Sequence, residues 1–127
     1  MFDPTTRVLR YSSAGHNPPR LRRAGAGVES LEGGRDVPLG VLDDTRYHED
    51  STELHAGDSL LLYTDGITEA RNAGNEEFGT RRLDDQLSAA TNTDPGWMIS
   101  SVLESVAAFT KGKPAEDNRT LVAAEVR

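Results

Sequence analysis

The sequence contains no cysteine, so it has neither a disulfide framework nor a thiolate site. A reducing cytoplasm is the simplest address for such a chain. No apolar run approaches the roughly 20 residues that span a bilayer. The opening "MFDPTTRVLRYSS" also lacks the basic and then apolar layout of a secretion signal. A basic excess is missing too: the net charge of −7 argues against general binding to nucleic acid, which needs a clear surplus of lysine and arginine. There are no internal repeats, no low-complexity tract, no histidine pair at metal-ligand spacing and no glycine-flanked serine to mark a nucleophile.

What remains fits one globular domain. The 127 residues suffice for one core and are too few for two ordinary domains. With 35% hydrophobic and 28% charged residues, the composition excludes a disordered chain. The local basic cluster "PPRLRR", residues 18 to 23, reads as the solvated face of a strand.

Alternation around Val8, Arg10 and Ser12 predicts a strand over 7–13, closed by Gly15 and by Pro18-Pro19, which cannot donate to a sheet ladder. No element stands before it to serve as a neighbour. "RLRRAGAGVESLEGG" reads as a hairpin around Ala24 to Gly27, and "DVPLGVLDD" as a loop. "TRYHEDSTEL" reads as a further strand ending at the "HAGD" turn, with "SLLLYTD" as the second arm. In that arm, Leu60 to Tyr63 read as buried on both faces. Beyond the polar loop "NAGNEEFGT", Leu83, Leu87 and Ala90 mark one face of a short helix from about Thr80. Asp94 as N-cap and Pro95 at the first position open a stronger helix, with Met98, Val102, Val106 and Phe109 on one face. "RTLVAAEV" is a closing strand. Strands followed by helices and one last strand predict an α+β fold with mostly antiparallel sheet.

Two acids stand at strand ends. Asp65 follows the apolar run and precedes Gly66, and Asp117 lies just before the closing strand. A carboxylate ending a buried strand is costly unless it reaches water, a donor or a cation. If the two strands are antiparallel neighbours, both acids emerge at one end of the sheet, where hard oxygen ligands suit Mg²⁺ or Mn²⁺. By spacing alone the favoured readings are an Asp-Gly turn at one site and a loop-shaping Asp-Asn pair at the other. His16, in "SAGHNPP", reads as a hydrogen-bonded residue at a strand end. His48 and His55 are unremarkable, and Gly57-Asp58 reads as a turn.

The stretches "YSSAGHNPP", "PLG", "LHAGDSLLLYTDGITEARN", "EEFGTRRL" and "EDNRTLV" are far more specific in combination, because they follow one another in order. Together they resemble the C-terminal part of the metal-dependent Ser/Thr protein phosphatases of the PPM superfamily, in particular the bacterial class named after stage II sporulation protein E. The resemblance implies a four-layer α-β-β-α sandwich with two mostly antiparallel sheets. It implies that Asp65 and Asp117 ligate a cluster of Mn²⁺ or Mg²⁺, binuclear in the complete domain. A metal-activated water then hydrolyses phosphoserine or phosphothreonine, and no protein nucleophile is needed. Asn118 stands where the family often has a second acid. Glu69 matches a family position, with no physical role to assign.

The family pattern also has an N-terminal half whose early Gly-Asp supplies a bridging carboxylate. Residues 1–127 are therefore expected to be a single, N-terminally incomplete phosphatase domain, inactive in isolation, weak in binding cations, and prone to self-association through uncovered sheet surface. By the same resemblance the substrate is a phosphorylated bacterial signalling regulator, such as an anti-sigma-factor antagonist. The alternative is a non-catalytic, phosphatase-like module that binds a regulatory partner.

Overall fold

The chain turns back almost at once. Asp3 accepts the Thr5 amide at 2.8 Å, and the short strand β1 (Phe2–Asp3) pairs antiparallel with β2 (Val8–Tyr11). The strand that lacked a neighbour in the sequence thus finds one in the first residues of the chain. The computed structural model describes residues 1–127. Their later elements are β3 (Ser13–Ala14), β4 (Arg20–Arg23), β5 (Gly27–Ser30), β6 (Arg35–Asp36), β7 (Asp50–Glu53) and β8 (Ser59–Tyr63). The helices α1 (Asp65–Thr68), α2 (Gly79–Ala89) and α3 (Pro95–Thr110) follow, and β9 (Leu121–Glu125) closes the order.

These elements form an α+β sandwich. One sheet has the order β1-β2-β7 and the other β5-β4-β8-β9, all antiparallel, while β3 and β6 make a two-residue parallel ladder beside them. Leu9 and Tyr11 of β2 and Leu60 of β8 pack around Leu21, Leu31 and Leu54 between the sheets. On the opposite face of the four-stranded sheet, Leu61 and Tyr63 meet Leu83 and Leu87 of α2 and Met98, Val102 and Val106 of α3. Asp94 caps α3 by accepting the Trp97 amide at 2.8 Å, with Pro95 in the first turn. The 3.6-residue periodicity of both long helices is therefore realised as read.

Three sequence readings are corrected. First, β7 and β8 are not two arms of one hairpin: β7 pairs with β2, and β8 pairs with β4 and β9. The "HAGD" turn carries the chain from one sheet to the other. Asp58 explains why, since its buried carboxylate accepts the amides of Ala24 and His55 and ion-pairs with Arg23 at 2.8 Å, fastening the turn to the β4–β5 hairpin. Second, the arginines of "RLRR" are not a solvated face. Arg20 is 9% exposed and pairs with Asp84 of α2, and Arg22 donates to the carbonyls of Leu87 and Ala90 at the end of that helix. Third, β8 is not buried on both faces. Leu61 and Tyr63 are buried, but Leu60 and Leu62 are only partly so, because they line an opening of about 490 Å³ between the sheets.

Candidate metal centre

Strand β8 ends at Tyr63, directly opposite Leu121 of β9, and the two strands run antiparallel. Asp65 leaves β8 at the end where Asp117 leads into β9. Thr64 ties the two segments: its amide donates to Thr120 O (3.2 Å), its hydroxyl donates to Asn118 O (3.2 Å), and that hydroxyl accepts the Thr120 amide (3.0 Å). Gly66 brings them closer still. A Cβ built there would lie 2.2 Å from Asn118 O and 3.2 Å from Asp117 O, so only glycine lets the backbones approach this far.

The sequence "DGIT" does not simply turn. It forms the one-turn helix α1, anchored by fully buried Ile67 in the main core, so Asp65 projects outward while Ile67 points in. One oxygen of Asp65, Oδ1, accepts the side-chain amide of Asn17 at 2.7 Å. Asp117 is exposed, and its Oδ1 accepts the amide of Asn118 at 2.7 Å, so the loop-shaping role open to it in the sequence is present. A polar cleft of about 340 Å³ lies alongside, lined among others by Gly66, Glu69, Glu116, Asp117 and Arg119. The Arg119 Nε donates to Gly66 O at 3.2 Å.

The donors at this sheet end are oxygens with net negative charge, which suits Mg²⁺ or Mn²⁺ and not a soft cation. Their number is small. No group of three or more histidine, cysteine, aspartate or glutamate side chains is gathered closely enough to hold an ion, so water would supply most of the coordination positions. His16 is exposed next to β3, with Nδ1 2.8 Å from the Asn17 carbonyl. His48 Nδ1 lies 2.9 Å from Asp36 Oδ1, and His55 Nε2 lies 3.4 Å from Glu53 Oε1.

Sequence reasoning missed Thr64 and Asn17. Their partners lie 54 and 48 residues away, so spacing does not show these contacts, although both residues stand within the stretches "YSSAGHNPP" and "LHAGDSLLLYTDGITEARN".

With two antiparallel sheets and helices packed against one of them, this chain has the fold of solved PP2C-type phosphatase domains. It belongs to the Stage II sporulation protein E (SpoIIE) family, whose model matches residues 1–127. The manganese-presoaked phosphatase domain of the cell fate determinant SpoIIE from Bacillus subtilis superposes with a TM-score of 0.74 at 20% identity, covering 99% of this chain and 54% of that one. The structure of the RsbU and RsbW domains of a Mycobacterium tuberculosis protein gives 0.73 at 29% identity, over 96% of this chain and 34% of that one. Protein IcfG of Synechocystis is 32% identical over 89 residues, which is 70% of this chain and 14% of IcfG. The chain thus spans about half of the Bacillus domain and a small part of the curated relative.

Proposed function

We propose that residues 1–127 form the C-terminal portion of a single metal-dependent protein phosphatase domain. The observation that carries this is the antiparallel pairing of β8 with β9, which delivers Asp65 and Asp117 to one sheet end where Thr64 and Gly66 lock their segments together. Asp65 and Asp117 are the residues that would hold Mn²⁺ or Mg²⁺. Bound cations of this kind supply an activated water and neutralise charge on the phosphoryl oxygens. The chain's own contribution is to present the two carboxylates from a rigid sheet end. Asn17 donates to one of them, and Arg119 borders the adjoining cleft.

The substrate is a phosphoserine or phosphothreonine in a bacterial regulatory protein of the anti-sigma-factor-antagonist type. The similar mycobacterial structure contains RsbU and RsbW domains, which supports a regulatory partner. The chain covers about half of the Bacillus domain; in this reading the rest of such a domain supplies the bridging acid, and the isolated chain is inactive or nearly so. Uncovered sheet surface fits the same reading. Val122 is 55% exposed on the edge strand β9, and Leu60 and Leu62 border the inter-sheet opening. Self-association in sedimentation, with binding of an apolar dye, is the expected result.

The absence of a three-ligand cluster favours a second reading, a non-catalytic module that binds a regulator. Mn²⁺-dependent hydrolysis of a chromogenic aryl phosphate, measured in parallel on Asp65→Ala, separates the possibilities. No turnover above the variant means that the chain is a fragment or a binding module. Turnover lost in the variant means that an active centre assembles from these residues without the bridging acid.

A further inference from the structure

Asn17 lies between β3 and β4, 48 residues before Asp65, yet its side-chain amide donates to that carboxylate. The group that meets Asp65 Oδ1 at 2.7 Å is the NH₂ of the Asn17 side chain, which donates to it.

The backbone around Asn17 is pinned on both sides. Pro18 follows it and restricts its backbone to extended conformations. The Pro19 carbonyl accepts the Leu31 amide at 3.0 Å, and the Gly15 amide donates to Asp36 O at 3.0 Å. Gly15 has φ +79°, and a Cβ there would lie 2.5 Å from Pro38 Cγ, so this approach requires glycine. The ring of His16 sits 2.8 Å from the Asn17 carbonyl. A segment held this firmly presents a fixed donor to an otherwise free, exposed side chain on a one-turn helix.

The residue type is informative. Lysine or arginine could hold Asp65 equally well, but would place a positive charge against the position of a cation. The asparagine amide donates without charge. It engages Oδ1 and leaves Oδ2 open.

We infer that Asn17 is a positioning residue, which holds the Asp65 carboxylate in the orientation that accepts a divalent cation. This rests on the reading of Asp65 as a metal ligand. Partners that orient metal-ligating side chains typically change affinity by about tenfold or more when removed. The test is a Mn²⁺ titration of the full 127-residue chain, read by water-proton relaxation or electron paramagnetic resonance, for the parent, Asn17→Ala, Asp65→Ala and the double variant.

The expected result is an affinity about tenfold weaker in Asn17→Ala, with no further loss when Asn17→Ala is added to Asp65→Ala. A residue that only stabilised its loop would weaken both backgrounds alike. Asn17→Leu, of similar volume but with no donor, repeats the test should the alanine variant not fold. If Asp65→Ala weakens binding but both Asn17 variants stay within twofold of the parent, the positioning role is overturned and the ligand role of Asp65 stands. If Asp65→Ala binds Mn²⁺ like the parent, the metal-ligand reading itself fails, and the role of Asn17 with it.

Discussion

Two aspartates bracket strand β8, each beside a glycine, and they are built in opposite ways. Asp58, just before the strand, is 1% exposed and receives two backbone amides and the Arg23 guanidinium. Asp65, just after it, is exposed and receives one side-chain amide. A carboxylate meant to hold a fold together has its lone pairs filled by protein donors. One meant for an external cation must keep some of them empty. Gly-Asp and Asp-Gly look alike on paper, but Asp58 is enclosed by protein donors and Asp65 is not.

The largest effect is expected at the filled site. Asp58→Ala leaves Arg23 without its buried partner and should cost about 3–5 kcal/mol in urea unfolding. A loss below about 1 kcal/mol would break the contrast. The acid limb of the stability curve tests the same group. Burial works to raise the Asp58 pKa, but the amides of His55 and Ala24 and the charge of Arg23 outweigh it and hold the group below its ordinary 3.8. With a lowered pKa, its stabilisation is intact above about pH 4 and is lost as the pH falls through the lowered value. The acid unfolding of Asp58→Ala should accordingly be shallower than that of the parent.

Gly66→Ala comes next. Its methyl group would meet the Asn118 carbonyl, which is backbone and cannot swing aside, so a cost of about 1–3 kcal/mol is expected, together with weaker Mn²⁺ binding as the β8 and β9 ends part. Stability unchanged in this variant would mean that the two segments are not locked. The smallest effect belongs to Asp65→Ala. Unfolding midpoints should place it within about 0.5 kcal/mol of the parent, because an exposed acid with one hydrogen bond contributes little to the fold. A large loss there would make Asp65 a structural residue like Asp58.

Much of the molecule was legible in the sequence where the signal is local. The apolar faces of α2 and α3, the Asp94-Pro95 start and the β4–β5 hairpin all follow from residues within a few positions of each other. The misreadings share a cause. Whether β8 folds back on β7 or leaves for another sheet is decided by Asp58 contacts to Ala24 and Arg23, 34 and 35 residues earlier. The inward arginines alternate as a solvated strand would, and only the packing of α2 over β4 reveals that their face is covered. At the candidate site, the strand-end positions of Asp65 and Asp117 could be read directly. Asn17, which donates to Asp65, and Thr64, which bonds the Asn118 carbonyl, act across the fold and leave no mark in spacing.

The order β5-β4-β8-β9 also governs when this molecule can take shape. Strand β8 sits between β4 and β9, so the central strand keeps one unpaired edge until residues 121–125 have been made. Loop closures of this span are slow, and an open strand edge is an aggregation hazard while they are pending. Since Asp117 reaches the Asp65 end only as β9 docks, synthesis leaves no interval in which a half-built chain could gather both carboxylates. The two carboxylates of the candidate centre therefore come to one sheet end only through the docking of the last strand in the chain order.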